Sequence, residues 1–457
     1  MKTGMKNAKK LFALLLSLLL AAALPSVCAA QSAPAGIGAA HALHAEGTRL
    51  VNAAGAEVTL RGVNLGGWLI QEDWFCPADN GTRGDHYTLE TLTERFGAEK
   101  AYELYDLYWD HWITEYDFAE IAKMGFNCVR IPFWYRNFQS DDGGTWILNA
   151  AGEKDFSRLD WAVEMCRKYG LYAIPDLHGA NGCQGAQDHC GQVDNCRFFE
   201  RTAQGEAWRA QALELWSLLA ERYAGDPAVA MFDLLNEPLC DVPFITRDYR
   251  TLNRFYDDAY RAIREKDPDR VVCMMGTWDI GKLPSPERMG WTNVVYQLHL
   301  YNGTLQSVEN RIDASEALDY NVPLFVGEFH PTGKNVKLTV GEMLQVYEDH
   351  GVNWTVWTWK GYNSWAAWAD WFIYGSVSDE LTVDPENDSY EEIAAKWSAM
   401  ATDGGCFYSG HLDEEVAPFL PDGRKTAPET VGRFAAFFRE LFRRVRIFFE
   451  LIGDLFT

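Results

Sequence analysis

The sequence predicts a (β/α)8 barrel, and three observations carry that expectation. Eight short apolar or β-branched runs recur along the chain, at residues 62–68, 128–133, 172–177, 231–235, 271–275, 294–300, 324–329 and 354–359. Most intervals between them hold a helical pattern, as at 118–124, 159–169, 208–223 and 255–265. The runs themselves are nearly continuous in apolar residues, as parallel strands covered on both faces must be. A doubly wound open sheet is the alternative, but no glycine-rich dinucleotide fingerprint follows the first run.

Taken in order, residues 1–30 read as a secretory signal peptide. Lys2, Lys6, Lys9 and Lys10 give a positive start, residues 11–24 an apolar core too short to span a bilayer, and Ala29-Ala30 small residues for cleavage. Residues 31–45 are rich in Ala, Gly, Ser and Pro and read as a flexible lead-in. The segments 49–52 and 57–60 flank Ala53-Ala54-Gly55-Ala56, which predicts a β-hairpin. Helix ends are signalled by Lys123-Met124-Gly125 and Lys168-Tyr169-Gly170, a cation followed by glycine. The barrel domain, 46–400, closes with a helix expected at 390–400. Residues 401–425 read as a Gly/Asp/Pro-rich linker. The tail 426–457 keeps Phe434, Phe438, Leu441, Val445, Phe448, Ile452 and Leu455 at helical spacing, with arginines between them. Such a basic amphipathic helix fits an anionic membrane or cell-envelope surface, or equally the flank of the barrel.

The composition, 47% hydrophobic and 23% charged, is that of a folded globular protein. The formal charge of −24 falls to −28 once residues 1–30 are removed, since they carry four lysines and no acid. A protein so acidic repels nucleic acid and suits a neutral polysaccharide better than a polyanion. Eighteen tryptophans exceed the usual share; most are expected in the core, the rest as flat apolar faces for sugar rings. Cys128, Cys166 and Cys273 lie in apolar stretches and read as buried thiols. Cys183, Cys190 and Cys196 cluster in one loop beside Asp188 and His189. One loop disulfide with a spare thiol is preferred there over a metal site.

In this fold the reacting groups sit at the C-terminal ends of the strands. The first run leads to Glu72, the second holds Arg130, and the third ends at Asp176 and His178. The fourth ends in Asn236-Glu237-Pro238, the sixth carries His299 and Tyr301, the seventh ends at Glu328, and the eighth delivers Trp357, Trp359 and Lys360. Cleavage of a glycosidic bond needs one protonated and one ionised carboxyl astride the bond. Glu237, behind Leu234-Leu235, suits the raised acid. Glu328 suits the nucleophile if Arg130 and Tyr301 reach it, and Gly327 leaves room beside it.

These motifs, over residues 47–400, resemble glycoside hydrolase family five, especially its exo-β-1,3-glucanase branch. The carriers are the segment Arg61 to Trp68 with Glu72 and Trp74, Val129-Arg130-Ile131-Pro132, Asp176-Leu177-His178-Gly179-Ala180, Leu235-Asn236-Glu237-Pro238, His299-Leu300-Tyr301, Val326-Gly327-Glu328-Phe329 and Trp357-Thr358-Trp359-Lys360. The resemblance implies Glu237 as acid/base, Glu328 as nucleophile, and retention of configuration. It implies that Asn236 bonds the sugar 2-hydroxyl, that Arg130 and Tyr301 hold Glu328 ionised, and that His178 and His299 position the sugar. Trp357 would be the stacking floor and Glu72 the grip on the non-reducing-end sugar. It implies no metal and no cofactor.

The chain departs from that branch at Asp73, at Phe329-His330 and in the loop after His178. Those are substrate-contacting regions. The expected function is therefore a secreted β-glucan hydrolase, exo-acting on β-1,3 or mixed linkages, with an endo-β-1,4-glucanase or mannanase as the alternative within the class. A non-catalytic cell-surface carbohydrate-binding barrel is the alternative from another class.

Overall fold

A computed structural model describes residues 36–333, 336–363, 371–410 and 412–420. Residues 1–30, the first five residues of the lead-in (31–35) and the tail 426–457 lie outside the described residues. The core is a closed parallel barrel of eight strands in sequence order: β3 (Arg61–Asn64), β4 (Cys128–Trp134), β5 (Tyr172–Gly179), β6 (Met231–Asp233), β7 (Val271–Met275), β8 (Val294–Leu300), β9 (Leu324–Phe329) and β10 (Asn353–Val356). Each begins within a residue of its apolar run. The barrel closes where β10 meets β3, with Trp354 opposite Arg61. Arg61 locks that closure through a bidentate pair to Glu348, at 2.7 and 2.6 Å, and the Trp354 indole donates to the same carboxylate at 2.8 Å.

The helices between strands follow their local signals. In Tyr249–Lys266 the side chains of Leu252, Phe255, Tyr256, Ala259, Tyr260 and Ile263 form one buried stripe, and Asp248 caps the first turn by accepting from the Thr251 amide. The helices Glu115–Met124 and Ser157–Tyr169 end at Gly125 and Gly170, both left-handed, as the cation–glycine pairs predict. Ten tryptophans belong to the main core, and seven of them, Trp68, Trp112, Trp134, Trp216, Trp354, Trp359 and Trp397, are fully buried.

Three expectations need correction. The N-terminal hairpin is present, but its strands are β1 (Leu43–Glu46) and β2 (Arg49–Asn52), so it begins inside the stretch read as flexible. Gly47, at φ 62, makes the tight turn, while Glu57 only bridges to Val51. The closing helix is Tyr390–Trp397, three residues shorter than expected. Residues 402–410 and 412–420, within the stretch 401–425 read as linker, pack onto the fold instead: β13 (Phe407–Tyr408) joins β11 (Lys360–Gly361) and β12 (Gly375–Ser376) in a small sheet. Leu412, Val416 and Leu420 are buried, and the Lys360 ammonium, itself buried, donates to Met400 O and Thr402 Oγ1 at 2.8 Å. Sparse apolar residues at irregular spacing were enough to dock this segment. Among the described residues no helix is long and apolar enough to cross a membrane.

Candidate active site

The nine residues singled out in the sequence converge on the C-terminal rim of the barrel. Seven of them, Glu72, His178, Asn236, Glu237, Tyr301, Glu328 and Trp357, line one cavity of about 180 Å³. Arg130 and His299 are fully buried and sit behind the carboxylates rather than on the cavity wall. His299 therefore meets Glu237 directly, where the sequence reading had it positioning the sugar: its Nδ1 lies 2.7 Å from Glu237 Oε1 and 3.4 Å from Glu328 Oε2.

Arg130 organises the centre. Its fork donates from Nε to Asp233 Oδ2 at 2.7 Å, from Nη1 to Glu328 Oε1 at 2.8 Å, and from Nη2 to Asn236 Oδ1 at 2.9 Å. Asp176 Oδ2 lies 3.0 Å from Nη2 and also takes the His178 Nδ1 contact at 2.7 Å. Burial pushes Asp176 up to about 7 and Asp233 up to about 6, against the pull of the guanidinium. Burial likewise drives His178 down to about 3 and His299 well below the usual imidazole range, so both rings are neutral at pH 7.

The two glutamates differ in what surrounds them. Burial and then the charge of Glu328 push Glu237 well above the ordinary carboxyl range. Burial also raises Glu328, but Arg130 and the Tyr301 hydroxyl, which donates to Oε2 at 2.9 Å, work against it. One proton shared between them rests on Glu237. Their nearest carboxyl oxygens lie within 4.8 Å of each other. Glu237 itself has φ 39, a left-handed backbone rare for a glutamate, at the point where the chain leaves β6. Gly327 serves the site differently from the expectation of open space: a Cβ there would stand 1.6 Å from Gln297 Oε1. Gln297 in turn donates to Asp233 at 2.7 Å, so glycine lets β8 and β9 bring the second layer of the site together.

Glu72 lies across the cavity, its Oε2 accepting from the Trp74 indole at 2.9 Å. Burial, with Asp188 nearby, holds it well above the usual carboxyl range. The Trp357 ring stacks on His178, with 5.7 Å between centroids and 12° between planes.

Sequence reasoning assigned no role to four further wall residues, Gln187, His189, Trp278 and Trp371. Trp278 follows β7 through Gly276-Thr277, the one barrel strand for which no rim residue had been named. Trp371 stacks on His330 at 4.2 Å, so the histidine two residues after Glu328 carries an aromatic wall. Such a contact between residues far apart in the chain leaves no local signal. The loop disulfide expected among Cys183, Cys190 and Cys196 is not formed, and all nine cysteines of the described residues are free thiols. Their Sγ atoms bond carbonyls instead, Cys183 to Cys190 O at 3.1 Å, Cys190 to Gln187 O at 3.0 Å and Cys196 to Gln184 O at 3.4 Å. Cys128, Cys166 and Cys273 are buried, as expected.

Comparison with known proteins agrees with this geometry. The family described as cellulase (glycosyl hydrolase family 5) matches residues 93–363. A β-xylosidase of Phanerodontia chrysosporium is 32% identical over 265 residues, covering 57% of this chain and 52% of that protein. A glucan 1,3-β-glucosidase of Candida oleophila is 35% identical over 221 residues, 46% of this chain and 48% of that one. A probable glucan 1,3-β-glucosidase A of Emericella nidulans is 33% identical over 290 residues, 59% and 66% of the two chains. The matched regions thus span about half to two thirds of these relatives. Among solved structures, an endogalactoceramidase superposes with a TM-score of 0.55 at 19% identity, covering 78% of this chain and 84% of that one. A rutinosidase from Aspergillus niger gives 0.52 at 17%, covering 66% and 90%. At such identities these two speak for the fold alone.

Proposed function

Because the chain belongs to glycosyl hydrolase family 5, the cellulase family, we propose that it is a retaining β-glucan hydrolase that releases glucose from chain ends of β-1,3 or mixed-linkage glucans outside the cell. The observation that carries the reaction is the pairing of Glu237 and Glu328: carboxyl oxygens within 4.8 Å, one group bearing the proton and the other facing two donors. That spacing suits the roughly 5–5.5 Å carboxyl separation of retaining enzymes and leaves no room for the water that inverting enzymes hold between carboxyls roughly 6.5–9.5 Å apart.

The chemistry follows in two steps. Glu237 gives its proton to the glycosidic oxygen as a Glu328 oxygen bonds the anomeric carbon and the leaving sugar departs. Esterification removes the Glu328 charge, the largest cause after burial raising Glu237, so its pKa falls and it can take a proton from water. That water attacks the anomeric carbon, Glu328 leaves as carboxylate, and the original configuration returns. Asn236 and His178 stand on the wall where the ring's hydroxyls would lie, and Trp357 offers the flat face.

Exo action on glucan is supported by the small cavity, set against the roughly 300–1,000 Å³ of common ligand pockets, by Glu72 and Trp74 on its wall, and by the glucan 1,3-β-glucosidases among the relatives. Export rests on residues 1–30, and contact with a membrane or cell envelope on the basic spacing of 426–457. The test is the product profile from β-1,3-, β-1,4- and β-1,6-linked gluco-oligosaccharides, with Glu328→Ala as the blank. Glucose as sole early product from the β-1,3 series is expected. Mixed internal fragments would replace exo with endo action, and no release from any would reject the glucan substrate.

A further inference from the structure

Beside Glu237 stand two side chains that hydrolysis does not use, His189 on the cavity wall and Cys240 off it. His189 comes from the single turn Asp188–Cys190 after β5, and Cys240 from the turn after β6. Backbone bonds tie the two turns together: Ala186 N donates to Cys240 O at 3.0 Å and Leu239 N to Gln184 O at 2.7 Å. Ligand atoms of His189, Glu237 and Cys240 all lie within 4.8 Å of one another, and the three side chains are 6%, 5% and 2% exposed. His189 Nε2 is buried with no hydrogen-bond partner, which is costly for a polar atom. It stands 3.6 Å from Glu237 Oε2, too far for a hydrogen bond. That distance falls within the edge of a zinc tetrahedron, roughly 3.3–3.8 Å for metal bonds of roughly 2.0–2.3 Å.

We propose that His189, Glu237 and Cys240 form an inhibitory binding site for one zinc ion. Nitrogen, oxygen and sulfur together are a zinc donor set, whereas magnesium and calcium take oxygen. Three protein ligands leave the fourth position to water on the cavity side. Coordination releases both the Cys240 thiol proton and the Glu237 carboxyl proton to solvent, so the bound zinc takes the place of the catalytic proton. Two other such groups occur among the described residues. In one, His299 Nδ1 is already engaged by Glu237 at 2.7 Å, and the other, Asp313 with Glu316 and His350, is exposed.

Metal binding here is independent of the proposed reaction, while the inhibition rests on Glu237 being its acid/base. The test uses the full chain stripped of metal by chelator. Zinc chloride is titrated by calorimetry and, in parallel, into hydrolysis of an aryl β-glucoside. One ion per chain is expected, with inhibition that added chelator reverses. Cys240→Ala and His189→Ala should each weaken both signals at least ~10-fold, relative to the variant's own metal-free rate. Thermal melting identifies a variant that does not fold, and the other then carries the comparison. Absence of binding by the wild type up to ~1 mM, or unchanged binding in a folded variant, overturns the site. Binding that Cys240→Ala weakens but that leaves hydrolysis untouched upholds the site and counts instead against Glu237 as acid/base.

Discussion

Removing the Tyr301 hydroxyl should shift the acid side of the pH–rate profile, and the structure sets the size of the shift. That hydroxyl is the donor to Glu328 Oε2, at 2.9 Å, while Arg130 serves Oε1. In Tyr301→Phe one oxygen of a buried carboxylate loses its partner. A hydrogen bond to a charged group contributes ~1.5–3 kcal/mol, and one pKa unit corresponds to ~1.4 kcal/mol. The nucleophile should therefore become harder to ionise by about 1–2 pH units. In the proposed reaction Glu328 must be unprotonated to attack, so its raised pKa should move the acid limb of kcat/KM to higher pH by that amount. The basic limb should stay, because it reports loss of the Glu237 proton, which burial chiefly holds. Tyr301 itself adds no limb: burial, with Glu328 next to it, keeps its hydroxyl well above the usual phenol range. The measurement is kcat/KM for an aryl β-glucoside across about pH 4–9, for wild type and variant. An acid limb that moves by less than ~0.3 unit while the whole curve falls would refute the reasoning and make Tyr301 a substrate contact only.

Other perturbations separate the remaining roles. Glu328→Ala should abolish turnover, by ~10⁴-fold or more, and keep wild-type melting and sugar binding; near-wild-type rates would sink the mechanism. Glu237→Gln should lose ~10²–10⁴-fold on natural oligosaccharides but far less in the first step with a good aryl leaving group, which pre-steady-state bursts would show. Lys360→Ala should lower stability by ~2–4 kcal/mol, read from urea unfolding, because it strips the buried tie between β11 and residues 400–402. An unchanged midpoint would mean that the small sheet holds itself.

How much of this was legible in the sequence depends on the range of the forces involved. Strand starts were legible because a parallel barrel strand is apolar on both faces, so Val271–Met275, Val294–Leu300 and Leu324–Phe329 match their runs residue for residue. Strand ends were less so: β6 stops at Asp233, although the apolar run continues to Leu235, because the chain is already turning toward the left-handed backbone of Glu237. The rim residues were legible because strand ends impose a common place on distant positions. Their mutual contacts were not. Nothing local to His299 shows that it sits behind both glutamates, and nothing near His330 shows a tryptophan forty-one residues onward lying flat against it. The segment 402–420 looked like a linker because composition counts polar residues and cannot weigh a few well-placed apolar ones.

The division of labour between two identical side chains reduces to the reach of one guanidinium. Burying an ion costs several kcal/mol unless a counter-charge meets it in good geometry. The barrel centre places Asp176, Asp233, Glu237 and Glu328 together, and Arg130 contacts the first, second and fourth at 3.0, 2.7 and 2.8 Å. Asp233 and Asp176 hold the fork from Nε and Nη2, which leaves Nη1 aimed at Glu328. Glu237 makes no ion pair with the fork; apart from Glu328, the groups beside it are the neutral His299 at 2.7 Å, His189 at 3.6 Å and the Cys240 thiol. A neutral ring can orient a carboxyl but brings no positive charge to compensate its ionisation, so the proton stays on Glu237 and the charge on Glu328. The two aspartates, which touch no cavity wall, thus fix which glutamate the arginine reaches and, in the proposed reaction, which of the two keeps the proton.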